Sequence, residues 1–160
     1  MTAEQASTGT PEVGAVVARI DAVRDRIARA ALAAGREPSS VRLIGVTKTH
    51  PVDTARAALA AGLEDLAENR VDALVAKQAA VPARWHLVGR LQRNKVRDVV
   101  GRAALVHSVD RRSLVDALGR QASAQGLVQD VLVQVNVGED PAKGGCDLAD
   151  VADLVSYAAA

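Results

Sequence analysis

Val16, Ile20, Val23 and Ile27 recur at spacings of four, three and four, with Arg19, Asp21, Arg24, Asp25 and Arg26 set largely between them. That period gathers the apolar side chains on one face of a helix, and Gly35 marks its stop. Beyond Gly35 the rhythm changes to short apolar runs, each followed by a helical stretch. "VRLIGV" (41–46) precedes "VDTARAALAAG", in which Asp53 can cap and Gly62 can end a helix. "LEDLA" (63–67) precedes "NRVDALVAKQAA", with Asn69 as a candidate N-cap and Val71, Leu74 and Val75 as the stripe. "WHLVG" (85–89) precedes "QRNKVRDVVG", "ALVHSV" (104–109) precedes "RRSLVDALGRQASAQG", and "DVLVQVNV" (130–137) precedes "DLADVADLVSYAAA".

Five strand-helix units joined this tightly predict a parallel α/β sheet, because each helix returns the chain to the end where the next parallel strand starts. A doubly wound open sheet usually carries a glycine-rich phosphate loop after its first strand, and here that position reads "VTKTHP". A (β/α)8 TIM-type barrel needs about 250 residues. The chain therefore reads as an N-terminal helix and about five units of such a barrel, and the natural protein is expected to continue. Residues 1–12, small and polar with a proline, are expected as a flexible tail, leaving 13–160 as a partial barrel domain.

Composition narrows the chemistry. Apolar residues make up 49% of the chain, yet there is no Phe, one Trp (Trp85) and one Tyr (Tyr157), so platforms for stacking bases are nearly absent. The 20 basic and 19 acidic residues leave a formal charge of +1, too small for a global field drawing the chain to nucleic acid or membrane. Arg90, Arg93, Lys95 and Arg97 cluster in "GRLQRNKVR", which reads as a solvated face, with RNA binding as the weaker alternative. One cysteine, Cys146, makes no internal disulfide and no zinc-ligand spacing occurs, so a reducing cytoplasm is expected. No stretch approaches a membrane span in length, and no secretory signal opens the chain.

In a parallel barrel, the polar groups at the C-terminal strand ends face the site. Those positions supply Lys48, Asn69 beside Glu68, His86, then Ser108 with His107 and Asp110, then Gln134 and Asn136. Lys48 by position alone is a rim charge. In a partly desolvated barrel mouth its ammonium form is disfavoured, which frees a neutral amine to attack a carbonyl. Asn69 reads equally as a cap, His86 as a hydrogen-bonded core histidine, Ser108 and Asp110 as caps of the helix after "RR", and Cys146 as a loop thiol.

Five segments in order, "LIGVTKTHP", "LAENRVD", "WHLVGRLQRNK", "VHSVDR" and "VQVNVGEDPAKGG", span residues 41–145 and resemble the pyridoxal 5′-phosphate (PLP) homeostasis proteins. These are single-domain relatives of the alanine racemase N-terminal barrel. The resemblance implies that Lys48 carries PLP as a Schiff base, that Asn69 lines the pocket and that His86 faces the same region. It implies a carrier that keeps vitamin B6 and amino acids in balance without robust turnover, delivering PLP to apo-enzymes, with no nucleic-acid or membrane partner and a monomer if the barrel is complete. A Schiff-base aldolase and a PLP-dependent racemase are the alternatives; the racemase would need a second base, and the sole tyrosine lies on the last helix. The chain departs from the family at Ala67 and Arg70, usually Gly and an aromatic residue. The family's phosphate cradle lies in a C-terminal third that these residues do not contain, so weak retention of the cofactor is expected.

Overall fold

The computed structural model describes residues 13–138 and 143–159; the expected tail over 1–12 lies outside the described residues. Among the described residues, five α-helices and five strands follow in the anticipated order, except that no α-helix separates β3 from β4. Helix α1 (Val13–Ala33) comes first, followed by β1 (Gly45–Val46), α2 (Val52–Ala60), β2 (Asp65–Glu68), α3 (Val71–Gln78) and β3 (Arg84–Leu87). Strand β4 (Leu105–Val109), α4 (Arg112–Ala124), β5 (Val131–Val133) and α5 (Val151–Ala159) complete the set. All strand pairs are parallel and the sheet runs in sequential order, β1-β2-β3-β4-β5. A doubly wound sheet reverses its order at a switch point. This one does not, so it is an α/β sheet wound in one sense, as barrels are.

The period of two decides which residues enter the core. Leu66 on β2 is in register with Trp85 on β3, and both are buried against the helices together with Leu87 and Val106. Helix α4 contributes Leu114, Leu118 and Ala122, a stripe spaced by four residues. Trp85 satisfies its indole by donating to the Val81 carbonyl at 3.0 Å. Each large aliphatic side chain removed fully from water here contributes about 1.5–3 kcal/mol.

Helix ends follow the glycine signals and depart from the polar ones. Gly62 has φ +73°, and the Leu63 and Gly62 amides donate back to the Ala58 and Leu59 carbonyls. This closes α2 in a left-handed turn that Gly adopts without steric cost. Arg24 of α1 donates to the Ala61 and Gly62 carbonyls at 3.0 and 2.6 Å, tying α1 to the same helix end. At the N-termini, however, Pro51 rather than Asp53 precedes α2, and Arg70 rather than Asn69 precedes α3. Arg111 precedes α4, and no side chain makes a capping bond at any of the three. The stretch expected as a helix after β3 forms only a six-residue 3-10 helix, Arg93–Asp98, which buries Val96 and presents Arg93, Lys95 and Arg97 to solvent.

Candidate functional site

Lys48 follows β1 by two residues, at the C-terminal rim of the sheet. It is exposed, and its amine has no hydrogen-bond or ion-pair partner in the described residues. The partly desolvated mouth expected around it is not supplied by these residues. Its backbone, by contrast, is tightly set. Thr49 adopts φ +67°, a left-handed conformation unfavourable for a β-branched residue, and the His50 amide closes a turn onto the Thr47 carbonyl at 3.1 Å.

Directly beneath this turn lies a buried polar cluster of which the strand-end reading named only Glu68. Lys77 of α3 pairs with Glu68 at the end of β2, and also donates to the Thr47 carbonyl at 2.8 Å. The Thr47 hydroxyl donates to Glu68 Oε1 at 2.7 Å. Glu68 is 1% exposed and Thr47 4%. The sequence did carry a signal: Lys77 stands three residues after Leu74, on the helix face that is buried.

Asn69 is exposed on the rim and lines a cleft of about 1010 Å³ together with Arg90, Arg93, Lys95 and Arg111. Lys48 is not part of the lining of this cleft. Arg90, Arg93 and Lys95 have no partner among the described residues. Arg111 is paired with Asp110 and also donates to the Leu91 carbonyl at 3.2 Å. Gly89 holds this rim together: a Cβ there would stand 1.9 Å from the Asn69 carbonyl oxygen. Ser108 is no cap; its hydroxyl donates to the Gly89 carbonyl at 2.7 Å.

His86 sits in the sheet interior, fully buried, with both ring nitrogens engaged. One lies 2.9 Å from Asp65 Oδ1 and the other 3.0 Å from His107 Nε2. Asp65 also faces Arg84 and Arg42 at 3.5 and 3.7 Å. Burial, then the neighbouring His86, holds the His107 ring below its ordinary range. Of the last strand-end positions, Gln134 donates to the Gly144 carbonyl at 3.0 Å. The Cys146 backbone bridges Gln134 and Asn136. Cys146 is buried, which pushes its thiol up from its usual value. Tyr157 donates to Asp116 at 2.7 Å, with the Arg112 guanidinium 4.8 Å above its ring, so the sole tyrosine is engaged by α4.

Several known proteins are similar to this chain. A curated pyridoxal phosphate homeostasis protein from Aquifex aeolicus is 38% identical over 142 residues, covering 87% of this chain and 62% of the relative. The protein of the same name from Pseudomonas aeruginosa is 40% identical over 146 residues, covering 88% of this chain and 64% of its own. The chain thus spans a little over three-fifths of the length of these relatives. Among solved structures, PipY from Synechococcus elongatus, determined with PLP bound, superposes with a TM-score of 0.73 at 36% identity, covering 88% of this chain and 63% of PipY. The family described as the alanine racemase N-terminal domain matches residues 19–160, and with that match the sequential parallel sheet is assigned as part of its barrel: this chain belongs to the alanine racemase N-terminal domain family.

Proposed function

We propose that this chain binds pyridoxal 5′-phosphate through the Lys48 amine and serves as a cofactor carrier, keeping vitamin B6 and amino acids in balance without robust turnover. The observation that carries the reading is the place and state of Lys48 together, since Lys95 is likewise unpaired among the described residues but stands on the 3-10 helix after β3. Lys77 is consumed by Glu68 and Thr47, whereas Lys48 projects from a fixed turn at the strand rim with its amine uncommitted. The names of the curated relatives and the PLP-bound PipY structure support it. When bound, the cofactor supplies an aldehyde that a neutral primary amine captures reversibly.

The chain's own groups divide the remaining work. Asn69 borders the bound group on the rim, while His86, with both nitrogens taken, holds the floor through Asp65 and His107 rather than by touching the ligand. Phosphate contacts would decide retention, since each charge-assisted bond contributes about 1.5–3 kcal/mol. Delivery to PLP-dependent apo-enzymes, in a reducing cytoplasm, fits a carrier.

A racemase has less support, because Tyr157 is occupied by Asp116 on the helical layer. The test is an absorption spectrum of the protein saturated with PLP, with and without borohydride. A visible band that borohydride bleaches and that Lys48→Ala abolishes supports the carrier. A colourless protein that borohydride traps only with a sugar or keto acid points instead to an aldolase.

A further inference from the structure

We propose that the buried Lys77–Glu68 pair is a positioning device for Lys48, acting through Thr47; the inference rests on Lys48 being the cofactor-bearing lysine. Each polar group of Thr47 bonds to β2 or α3, and its carbonyl also accepts the His50 amide that closes the turn. Its amide donates to the Ala67 carbonyl at 2.9 Å, its hydroxyl donates to Glu68 at 2.7 Å, and its carbonyl accepts from Lys77 at 2.8 Å. The residue that follows is Lys48, and the next, Thr49, is held at φ +67°. A β-branched residue persists in that region only where its surroundings over-determine the turn. Among the described residues Thr47 is the only member of the turn hydrogen-bonded to β2 or α3, so the clamp on Thr47 is what fixes the origin and direction of the Lys48 side chain.

Stability alone does not account for the pair. Two charges taken out of water lose hydration that their attraction only partly returns, and apolar replacements of similar size are often as stable. What the pair provides that an apolar pair cannot is a directed donor to a backbone carbonyl and an acceptor for a hydroxyl, both on the residue preceding Lys48. A charge pair placed elsewhere under the sheet would serve packing equally. This one meets the turn.

The consequence concerns capture. The Lys48 nitrogen attacks the aldehyde carbon, a C=N bond forms, and the carbonyl oxygen leaves as water. Attack demands a defined approach, and misplacement by about 1 Å costs up to two orders of magnitude in rate. Exposed Lys95, outside the clamp, serves as the internal reference, since substitutions at Thr47, Glu68 and Lys77 leave its own surroundings unchanged.

The experiment uses the full chain with pyridoxal 5′-phosphate. Borohydride reduces the C=N bond to a stable secondary amine, and peptide mass mapping gives the ratio of adduct on Lys48 to adduct on Lys95. The urea midpoint reports the fold in parallel. In the Thr47→Val variant, which keeps the volume and loses the hydroxyl, the ratio is expected to fall at least tenfold; Thr47→Ser is expected to restore it. The double variant Glu68→Gln with Lys77→Met, which leaves no unpaired buried charge, is expected to lower the ratio similarly with a smaller change in urea midpoint than Lys77→Met alone. Wild-type ratios in folded Thr47→Val and in the double variant would overturn the positioning role while leaving Lys48 as the site. If the unsubstituted protein shows no preference for Lys48, the reading on which this rests fails instead. Should the double variant not fold, Thr47→Val decides alone.

Discussion

Gly89→Ala tests how the rim is built. The added methyl would stand 1.9 Å from the Asn69 carbonyl oxygen, 2.7 Å from its carbon and 2.8 Å from its Cα. Ordinary contact starts near 3.4 Å, so about 1.5 Å of movement is required, and the obstacle is backbone rather than a pliable side chain. That backbone cannot yield alone. The Val88 amide is bonded to the Glu68 carbonyl at 2.9 Å, and the Ser108 hydroxyl to Gly89 itself at 2.7 Å. Overpacking ordinarily costs about 1–3 kcal/mol, and each hydrogen bond disturbed adds about 0.5–1.5 kcal/mol. The sum is about 3 kcal/mol, which for a domain of this size lowers Tm by roughly 6–12 °C. Equilibrium urea unfolding of the full chain measures it. Gly119→Ala is the control, since nothing lies within 4 Å of a Cβ at that position inside α4, and the better helix former should stabilise by about 0.5–1 kcal/mol. A Gly89→Ala protein within about 0.5 kcal/mol of the parent would refute the close approach.

Two further outcomes follow from a half-buried histidine and a buried cysteine. The His107 ring, held low by burial and by His86, binds its proton more readily in the unfolded chain, so its share of stability is intact above about pH 6.5 and lost as pH falls below that. The urea midpoint should therefore drop more steeply between about pH 7 and about pH 5 in the parent than in His107→Gln, and equal slopes would count against it. The Cys146 thiol, buried and raised, should react with an aromatic disulfide reagent far more slowly in native protein than in urea; comparable rates would contradict its burial.

What the sequence made legible was periodicity. The alternation of short apolar runs with helical stripes predicted all five strands and their parallel order, because a period of two and a period near 3.6 leave distinct marks. Glycine stops at Gly35 and Gly62 were equally readable, since few other residues enter the left-handed turn. The segment after β3 was misread because Val96, Val99 and Val100 satisfy a helical stripe whether the turn is α or 3-10. The N-caps failed for a related reason: Asp53 and Asn69 are good capping residues, but the chain enters each helix at a neighbouring position. Of the candidate site, Lys48 lies where the strand-end reading puts it, two residues past β1. The partners of His86 could not be read, because Asp65 and His107 arrive from β2 and β4, and pairing across strands is set by register. Lys77 carries only one mark of burial in the sequence, its spacing of three from Leu74 on the buried face of α3.

The claim on which the rest depends is that Lys48, alone among the four lysines, is the one that captures the aldehyde. The direct measurement is borohydride reduction of the protein with pyridoxal 5′-phosphate, followed by peptide mapping that quantifies adduct on Lys48, Lys77, Lys95 and Lys143. Modification concentrated on Lys48 is expected, with Lys77 unmodified while the chain is folded. Adduct spread evenly over the exposed lysines, or absent from Lys48, would contradict it.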